Sequence, residues 1–226
     1  MIVFIRILII LLGSGSVAIP ANAQIFEGEI AYKVDVNYKG TNRRHKEYYE
    51  NEKFGDTILV YVSKEGSVRR EFPGSSKYGA KYYLYDPISN IQYAEFRFSD
   101  TVYWYKADTN PLMDYKIVEG CDNNEIYFED KLLDCIETEG FDSHLNQPTK
   151  SRYYYSPGEL LFNYESWSKN KDFLQGELYG TSKSNFLIMY LDYGNYEYTM
   201  TAIDVKEMDL DDKIFKIPKG KPLKLQ

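Results

Sequence analysis

Alternation of apolar and polar residues is the dominant pattern along the chain. In residues 29–38, EIAYKVDVNY, the side chains of Ile30, Tyr32 and Val34 fall on one side of an extended backbone, and mostly polar residues fall on the other. A period of two is typical of a β-strand that buries one face. This pattern, or a denser apolar run, predicts strands at residues 29–38, 57–63, 67–72, 81–86, 91–98, 101–107, 113–119, 125–129, 133–139, 151–155, 185–193 and 195–208.

Two stretches depart from the alternation. In residues 163–175, NYESWSKNKDFLQ, apolar and polar residues no longer alternate, and either a short helix or a structured loop is expected there. In the last strand, residues 196 to 202 alternate, but Val205 is one position out of step, which predicts a β-bulge or a bend. Gly194 joins this strand to the preceding one as a hairpin.

Short turns between neighbouring strands favour an antiparallel meander. So many strands cannot remain one flat open sheet, so they are expected to curl into a barrel or half-barrel or to split into a sandwich. No internal repeat or low-complexity linker interrupts the chain, and residues 24–226 are predicted to form a single β-rich domain. Its basic C-terminal tail is expected to dock at a sheet edge and then to end in solvent, or alternatively to bind a partner.

The first residues have the pattern of an export signal. Arg6 precedes an apolar run at residues 7–12, and small residues follow up to Ala21–Ala23. This order predicts a secretory signal peptide at residues 1–23, with a retained N-terminal anchor as the alternative. No later stretch approaches the ~20 apolar residues of a membrane helix. The protein is therefore expected in the periplasm or outside the cell, with no integral membrane segment after cleavage.

Cys121 and Cys135 are the only cysteines. Two thiols are too few for a tetrahedral zinc site, and the two histidines, His45 and His144, show no ligand spacing. The Cys-x-x-Cys spacing of a redox pair is also absent. Because exported compartments are oxidising, the sequence predicts a disulfide between the two.

The charge and the known motifs exclude several classes of function. The formal net charge of −7 argues against nucleic acid and anionic membrane surfaces as partners. No phosphate-binding or dinucleotide-binding loop is present, and no cofactor or metal is predicted. Asp142, Ser143 and His144 are contiguous, a spacing that rarely supports a catalytic triad. The protein is thus predicted not to be an enzyme. A glycosidase-like carboxylate pair stays open, because its separation depends on the fold.

Four segments carry a resemblance to known proteins: FEGEIAYKV (26–34), KLLDCIETEG (131–140), YYYSPGELL (153–161) and the stretch 196–220. Together they resemble the GLPGLI and DUF4412-like secreted proteins of bacterial envelopes, which are similar in turn to the LolA-like lipoprotein carriers. The resemblance implies a strongly curved antiparallel sheet, a half-barrel, with a short helix against its concave face. It also implies an apolar concavity able to take acyl chains, and it brings no catalytic residues.

The aromatic content is high, with 23 Tyr, 12 Phe and 2 Trp. Such rings fill cores, line ligand cavities or form exposed stacking surfaces. The candidate cavity-lining residues, from three neighbouring strands, are Tyr83, Tyr85, Tyr93, Phe96, Phe98, Tyr103, Trp104 and Tyr105. The sequence thus predicts an exported, non-enzymatic envelope protein that binds an apolar ligand such as a lipid or lipoprotein acyl chain. The alternative is a protein-binding or polysaccharide-binding module that uses exposed tyrosines.

Overall fold

The computed structural model describes residues 24–53, 55–110, 113–118, 121, 125–142 and 146–226. The predicted signal peptide and His144 lie outside these residues. The strands are β1 Gly28–Tyr38, β2 Thr57–Val62, β3 Val68–Glu71, β4 Ala80–Asp86, β5 Ile91–Phe96, β6 Val102–Lys106, β7 Met113–Val118, β8 Tyr127–Phe128, β9 Lys131–Leu132, β10 Asp134–Asp142, β11 Gln147–Tyr155, β12 Ile188–Asp192, β13 Tyr196–Glu207 and β14 Leu223–Leu225. The α-helices are α1 Arg43–Glu47 and α2 Gln175–Ser182. A π-helical segment spans Tyr48–Glu52, and short 3-10 turns span Tyr164–Trp167, Asp172–Leu174 and Asp212–Phe215.

Twelve of these strands form one sheet, in the order β14-β6-β5-β4-β3-β2-β1-β13-β12-β11-β10-β7. Neighbouring strands are antiparallel, except that β14 runs parallel to β6. Strands β8 and β9 pair separately as a small hairpin. The prediction of a mainly β chain built on a single curved antiparallel sheet, with a short helix against one face, is confirmed.

The predicted bulge lies in β13, where that strand pairs with β1. Ala31 faces Asp204 and Tyr32 faces Ala202, so Ile203 is the extra residue on the bulged strand. One inserted residue reverses the alternation. Val205 therefore returns to the side of the sheet that carries the core.

The two faces of the sheet are covered by different segments. On one, here called the helix face, Ile30, Tyr32 and Val60 pack with residues of α2 and of the turns before it. The opposite side is here called the strap face. It is crossed by residues 208–222, which we call the strap and which connect β13 to β14.

Trp167 fills the centre of the helix face. Its side chain is 1% exposed, and its ring centroid lies 4.2 Å from that of Tyr85, 4.8 Å from Tyr179 and 5.3 Å from Phe162. Its indole N–H donates to the backbone oxygen of Gly66, 2.6 Å away in the turn between β2 and β3. Much of the aromatic excess is therefore used to build the core.

The helix near residues 163–175 differs from the expectation in its position. Only short 3-10 turns form in that range, and α2 begins at Gln175. Phe173 and Leu174 have φ angles of 49° and 54°, a left-handed conformation that ends one helical segment before the next begins. Helix α1 was not predicted, although Asn42 caps it by accepting hydrogen bonds from the backbone of Arg44 and His45.

The predicted disulfide between Cys121 and Cys135 is confirmed, with Cα atoms 5.9 Å apart. It joins the segment after β7 to the start of β10, its neighbour in the sheet. The bridge therefore holds one edge of the sheet.

Candidate functional site

The strap is held where it leaves β13. The backbone N–H of Met208 donates to the backbone oxygen of Glu27 at 3.0 Å, and that of Leu210 donates to the Glu27 carboxylate at 3.2 Å. The strap then makes a 3-10 turn capped by Asp211, whose side chain accepts from the backbone of Lys213. From there it crosses the strap face toward β6.

A groove of about 1060 Å³ lies between the strap and the sheet. Residues 213–219 form its outer wall. Four sheet residues form a row beneath, because Arg69 pairs with both Tyr61 and Leu84, and Leu84 pairs with Tyr93. The row crosses four strands at a spacing of ~4.8 Å, so the groove floor is ~14 Å long.

Both walls of the groove are largely apolar. Leu84, 1% exposed, and Tyr93 lie on the sheet side, and Ile214, Phe215 and Ile217 lie on the strap side. Leu84 has almost no surface left to bury, so the apolar surface open to a ligand comes from Tyr93 and from the half-buried side chains of the strap.

Arg69 fixes the strap over β3. Its Nη1 donates to the backbone oxygen of Ile214 at 2.9 Å, and its Nε donates to the Glu71 carboxylate at 2.8 Å. The guanidinium also lies 4.0 Å from the ring centroid of Tyr82, within the range of a cation–π contact. Three contacts therefore hold this arginine in one orientation.

Glu95 fixes the strap over β5. Its side chain is 2% exposed, and one carboxylate oxygen accepts from Lys221 of the strap at 2.7 Å and from Lys81 at 2.9 Å. Burial raises the pKa of Glu95, but the hydrogen bonds and charges of Lys221 and Lys81 outweigh burial and hold the pKa below its ordinary value. Pairing of the next residues with β6 completes this attachment.

The middle of the strap is attached less firmly than its ends. Among the described residues, 217–220 make no hydrogen bond to the sheet. Gly220 has a φ angle of 82°, a conformation that favours glycine. The strap thus has fixed ends and a middle that can lift without breaking a hydrogen bond to the sheet.

The Glu95 contacts make stability depend on pH. The folded-state pKa lies below the ordinary value of 4.5, so this stabilisation is present above pH 4.5 and is lost as the pH falls through the folded-state pKa. We expect the melting temperature of Glu95→Gln to vary less between pH 5 and pH 3 than that of the wild type. Glu165→Gln, at an exposed position on the other face, should behave as the wild type does. Parallel curves for Glu95→Gln and the wild type would contradict this expectation.

The eight candidate aromatic residues lie on both faces of the sheet. By register and ring contacts, Tyr83, Tyr85, Phe96, Tyr103 and Tyr105 lie on the helix face, whereas Tyr93 and Trp104 lie on the strap face. Phe98 follows β5, is 62% exposed and stacks on Phe96. Tyr93 alone of the eight lines the groove.

The helix face leaves little room beside these residues. The gap lined by Arg70, Tyr83, Tyr85 and Trp167 has no room for a water molecule. Next to it, the Tyr105 hydroxyl donates to the buried Asp172 carboxylate at 2.8 Å. Burial raises the pKa of Asp172 despite this hydrogen bond. This face is packed as a core where Trp167 and α2 cover it.

The groove has two acids, Glu71 and Asp86. Glu71 pairs with Tyr82, four residues before Asp86 on β4, which places the Cα atoms of the two acids ~13 Å apart along the strand. The carboxyl groups of a glycosidase pair lie ~5–9.5 Å apart, so such a pair would require these two side chains to extend toward each other. In the described part of the chain, no three His, Cys, Asp or Glu side chains are grouped to hold a metal, and no helix has the length and apolarity needed to cross a bilayer.

Exposed tyrosines do not form a row. Of the tyrosines that the structure describes, Tyr78 and Tyr127 are more than half exposed. Tyr78 precedes β4 and Tyr127 belongs to the separate β8–β9 hairpin. Two isolated rings do not make the platform that the stacking alternative requires.

Most residues of the groove are not predicted by the pattern of the sequence. The outer wall comes from the segment KIFKIPKG, residues 213–220, which was interpreted as a basic tail. In this segment, apolar residues stand between lysines, and this pattern indicates a segment with one apolar side. The apolar residues are Ile214, Phe215, Ile217 and Pro218.

No protein-family model matches the chain, and no curated protein matches it. Among solved structures, a LolA superfamily protein from Nitrosomonas europaea is similar with a TM-score of 0.40 and 9% identity, over 85% of this chain and 90% of that one. The lipoprotein LppX of Mycobacterium tuberculosis gives a TM-score of 0.34 and 6% identity, over 82% of this chain and 90% of its own. The GLPGLI and DUF4412-like resemblance has no matching family model.

Proposed function

We propose that this chain is an exported, non-enzymatic envelope protein that binds an apolar ligand, such as a lipid or a lipoprotein acyl chain, in the groove under the strap. The observation that carries the proposal is a groove of about 1060 Å³ with apolar side chains on both walls. Small-molecule sites usually measure ~300–1000 Å³ and combine mostly apolar walls with a few polar groups. The groove fits this description, with Leu84 and Tyr93 below and Ile214 and Ile217 above.

Export is supported by the bond between Cys121 and Cys135. Structural disulfides persist in oxidising compartments and are rare in the cytosol. The predicted signal peptide at residues 1–23 agrees with this location.

The attachment of the strap suggests how a ligand enters. Both ends are fixed, through Arg69 and through Glu95, while residues 217–220 make no hydrogen bond to the sheet. If residues 217–220 move away from the sheet, the groove opens and only apolar contacts are lost. An acyl chain would restore those contacts at ~25 cal/mol per Å² of apolar area removed from water.

Placing a charge in the groove is expected to abolish most of the binding. In Ile217→Glu the new carboxylate would meet the apolar tail of the ligand, and desolvating it is costly. We expect affinity for a fluorescent fatty-acid probe to fall at least about tenfold, which corresponds to ~1.4 kcal/mol. The measurement is a fluorescence titration of the wild type and the variant.

The matched control is Ile203→Glu. Ile203 is 60% exposed on the bulge of β13 and does not line the groove. Its substitution should leave the affinity within about twofold. Equal losses in the two variants, or a wild type that binds no acyl probe, would refute the proposed function.

A further inference from the structure

The groove carries more positive than negative charge, although the whole chain has a net charge of −7. The charged side chains that line it are Arg69, Glu71, Asp86, Lys213, Lys216 and Lys219. The groove is therefore lined by four cations and two anions, and its net charge is opposite in sign to that of the whole chain.

Two of these cations already have carboxylate partners. Arg69 and Glu71 form an ion pair at 2.8 Å. Lys213 lies 3.3 Å from a carboxylate oxygen of Asp211. The charges of these two cations are already partly balanced by the carboxylates.

The other two cations of the groove have no such ion pair among the described residues. Lys216 and Lys219 are exposed, and neither makes an ion pair within the described part of the chain. The remaining acid of the groove, Asp86, already accepts hydrogen bonds from the backbone of Ile88 at 3.0 Å and from the Ser89 hydroxyl at 2.7 Å. The groove thus offers two ammonium groups that make no ion pair with a described residue, and of these Lys216 lies near enough to Asp211 for its charge to help lower the pKa of that carboxyl.

The path of the strap places these ammonium groups beside the apolar floor. The carbonyl of Ile214 is fixed over β3, and Lys221 is fixed over β5. Lys216 and Lys219 lie between these points, above the part of the floor that contains Leu84. A ligand with an apolar tail along the floor would therefore have its polar end within reach of both lysines.

From this arrangement we infer that the groove selects single-chain amphiphiles with an anionic head, a carboxylate or a phosphate monoester, and that Lys216 and Lys219 hold the head. The inference rests on the proposed function and names its ligand class. The two lysines supply charge complementarity, while the apolar walls supply contact with the tail. Because the lysines are exposed, the preference should weaken as salt is added.

The test compares three probes with the same twelve-carbon chain, below their critical micelle concentrations. Dodecanoate and dodecyl phosphate carry an anion, and 1-monododecanoylglycerol is neutral. We expect the two anionic probes to bind the full-length exported protein about tenfold more tightly at low salt. The double variant Lys216→Gln/Lys219→Gln should lose this preference and keep its affinity for the neutral probe.

The matched control is Lys169→Gln/Lys171→Gln, which removes the same charge from an exposed loop on the other face and should retain the preference. Equal binding of neutral and anionic probes, or a preference that survives Lys216→Gln/Lys219→Gln, would overturn the inference and leave the proposed function intact. Absence of binding by all three probes would overturn both. Binding to phosphatidylglycerol vesicles but to no monomeric probe would replace the inference with membrane-surface docking.

Discussion

Replacing Trp167 by alanine is expected to lower the free energy of unfolding by about 3–5 kcal/mol. The side chain is 1% exposed and packs against Tyr85, Phe162 and Tyr179. The substitution also removes the donor to the backbone oxygen of Gly66, which then stays buried with one partner fewer. Urea denaturation followed by far-ultraviolet circular dichroism measures the change.

Trp104→Ala is the matched control. Trp104 is half-buried on the strap face, between Tyr93 of β5 and Leu225 of β14. It lies outside the principal core, so its loss should destabilise the protein clearly less than that of Trp167. Equal costs would mean that the principal core does not lie on the helix face.

Removing the disulfide is expected to destabilise the fold by about 3 kcal/mol. Cys121 and Cys135 are separated by 14 positions, and the bond restricts this loop in the unfolded chain. The double variant Cys121→Ser/Cys135→Ser should show this loss in urea denaturation without reductant. Reduction of the wild type should have the same effect.

Two controls accompany the disulfide experiment. Reductant should not change the stability of the double variant, because that protein has no bond to break. Unfolded wild type should show no free thiol without reductant. Labelling of both cysteines, or a double variant as stable as the wild type, would contradict the expectation.

Much of the sheet could be predicted because alternation is a local property. Strands β1 and β13 follow directly from apolar residues at every second position, β2 follows from a denser apolar run, and Val205 indicates the bulge. The order of the strands could not be predicted in the same way. The pairing of β1 with β13 and of β14 with β6 joins segments far apart in sequence, and the alternation within each strand is the same whichever neighbour it has.

The site was harder to predict than the fold, because its two walls come from segments more than 100 residues apart in the chain. Leu84 and Tyr93 lie on the floor, while Ile214 and Ile217 reach them only after the strap has crossed the sheet. The sequence also cannot relate the faces of separate strands unless their register is known. For this reason Tyr83 and Tyr93 were grouped together, although they lie on opposite faces.

The central position of β1 has a consequence for how the protein is made. β1 borders β2 on one side and β13 on the other, so the first and last long strands meet in the middle of the sheet. As the chain emerges, β1 to β6 can assemble early, but the outer edge of β1 has no neighbour until residues near 200 arrive. An open strand edge is a template for aggregation, and contacts between distant segments form slowly. The interval between early assembly and arrival of β13 is therefore when the nascent chain most needs protection.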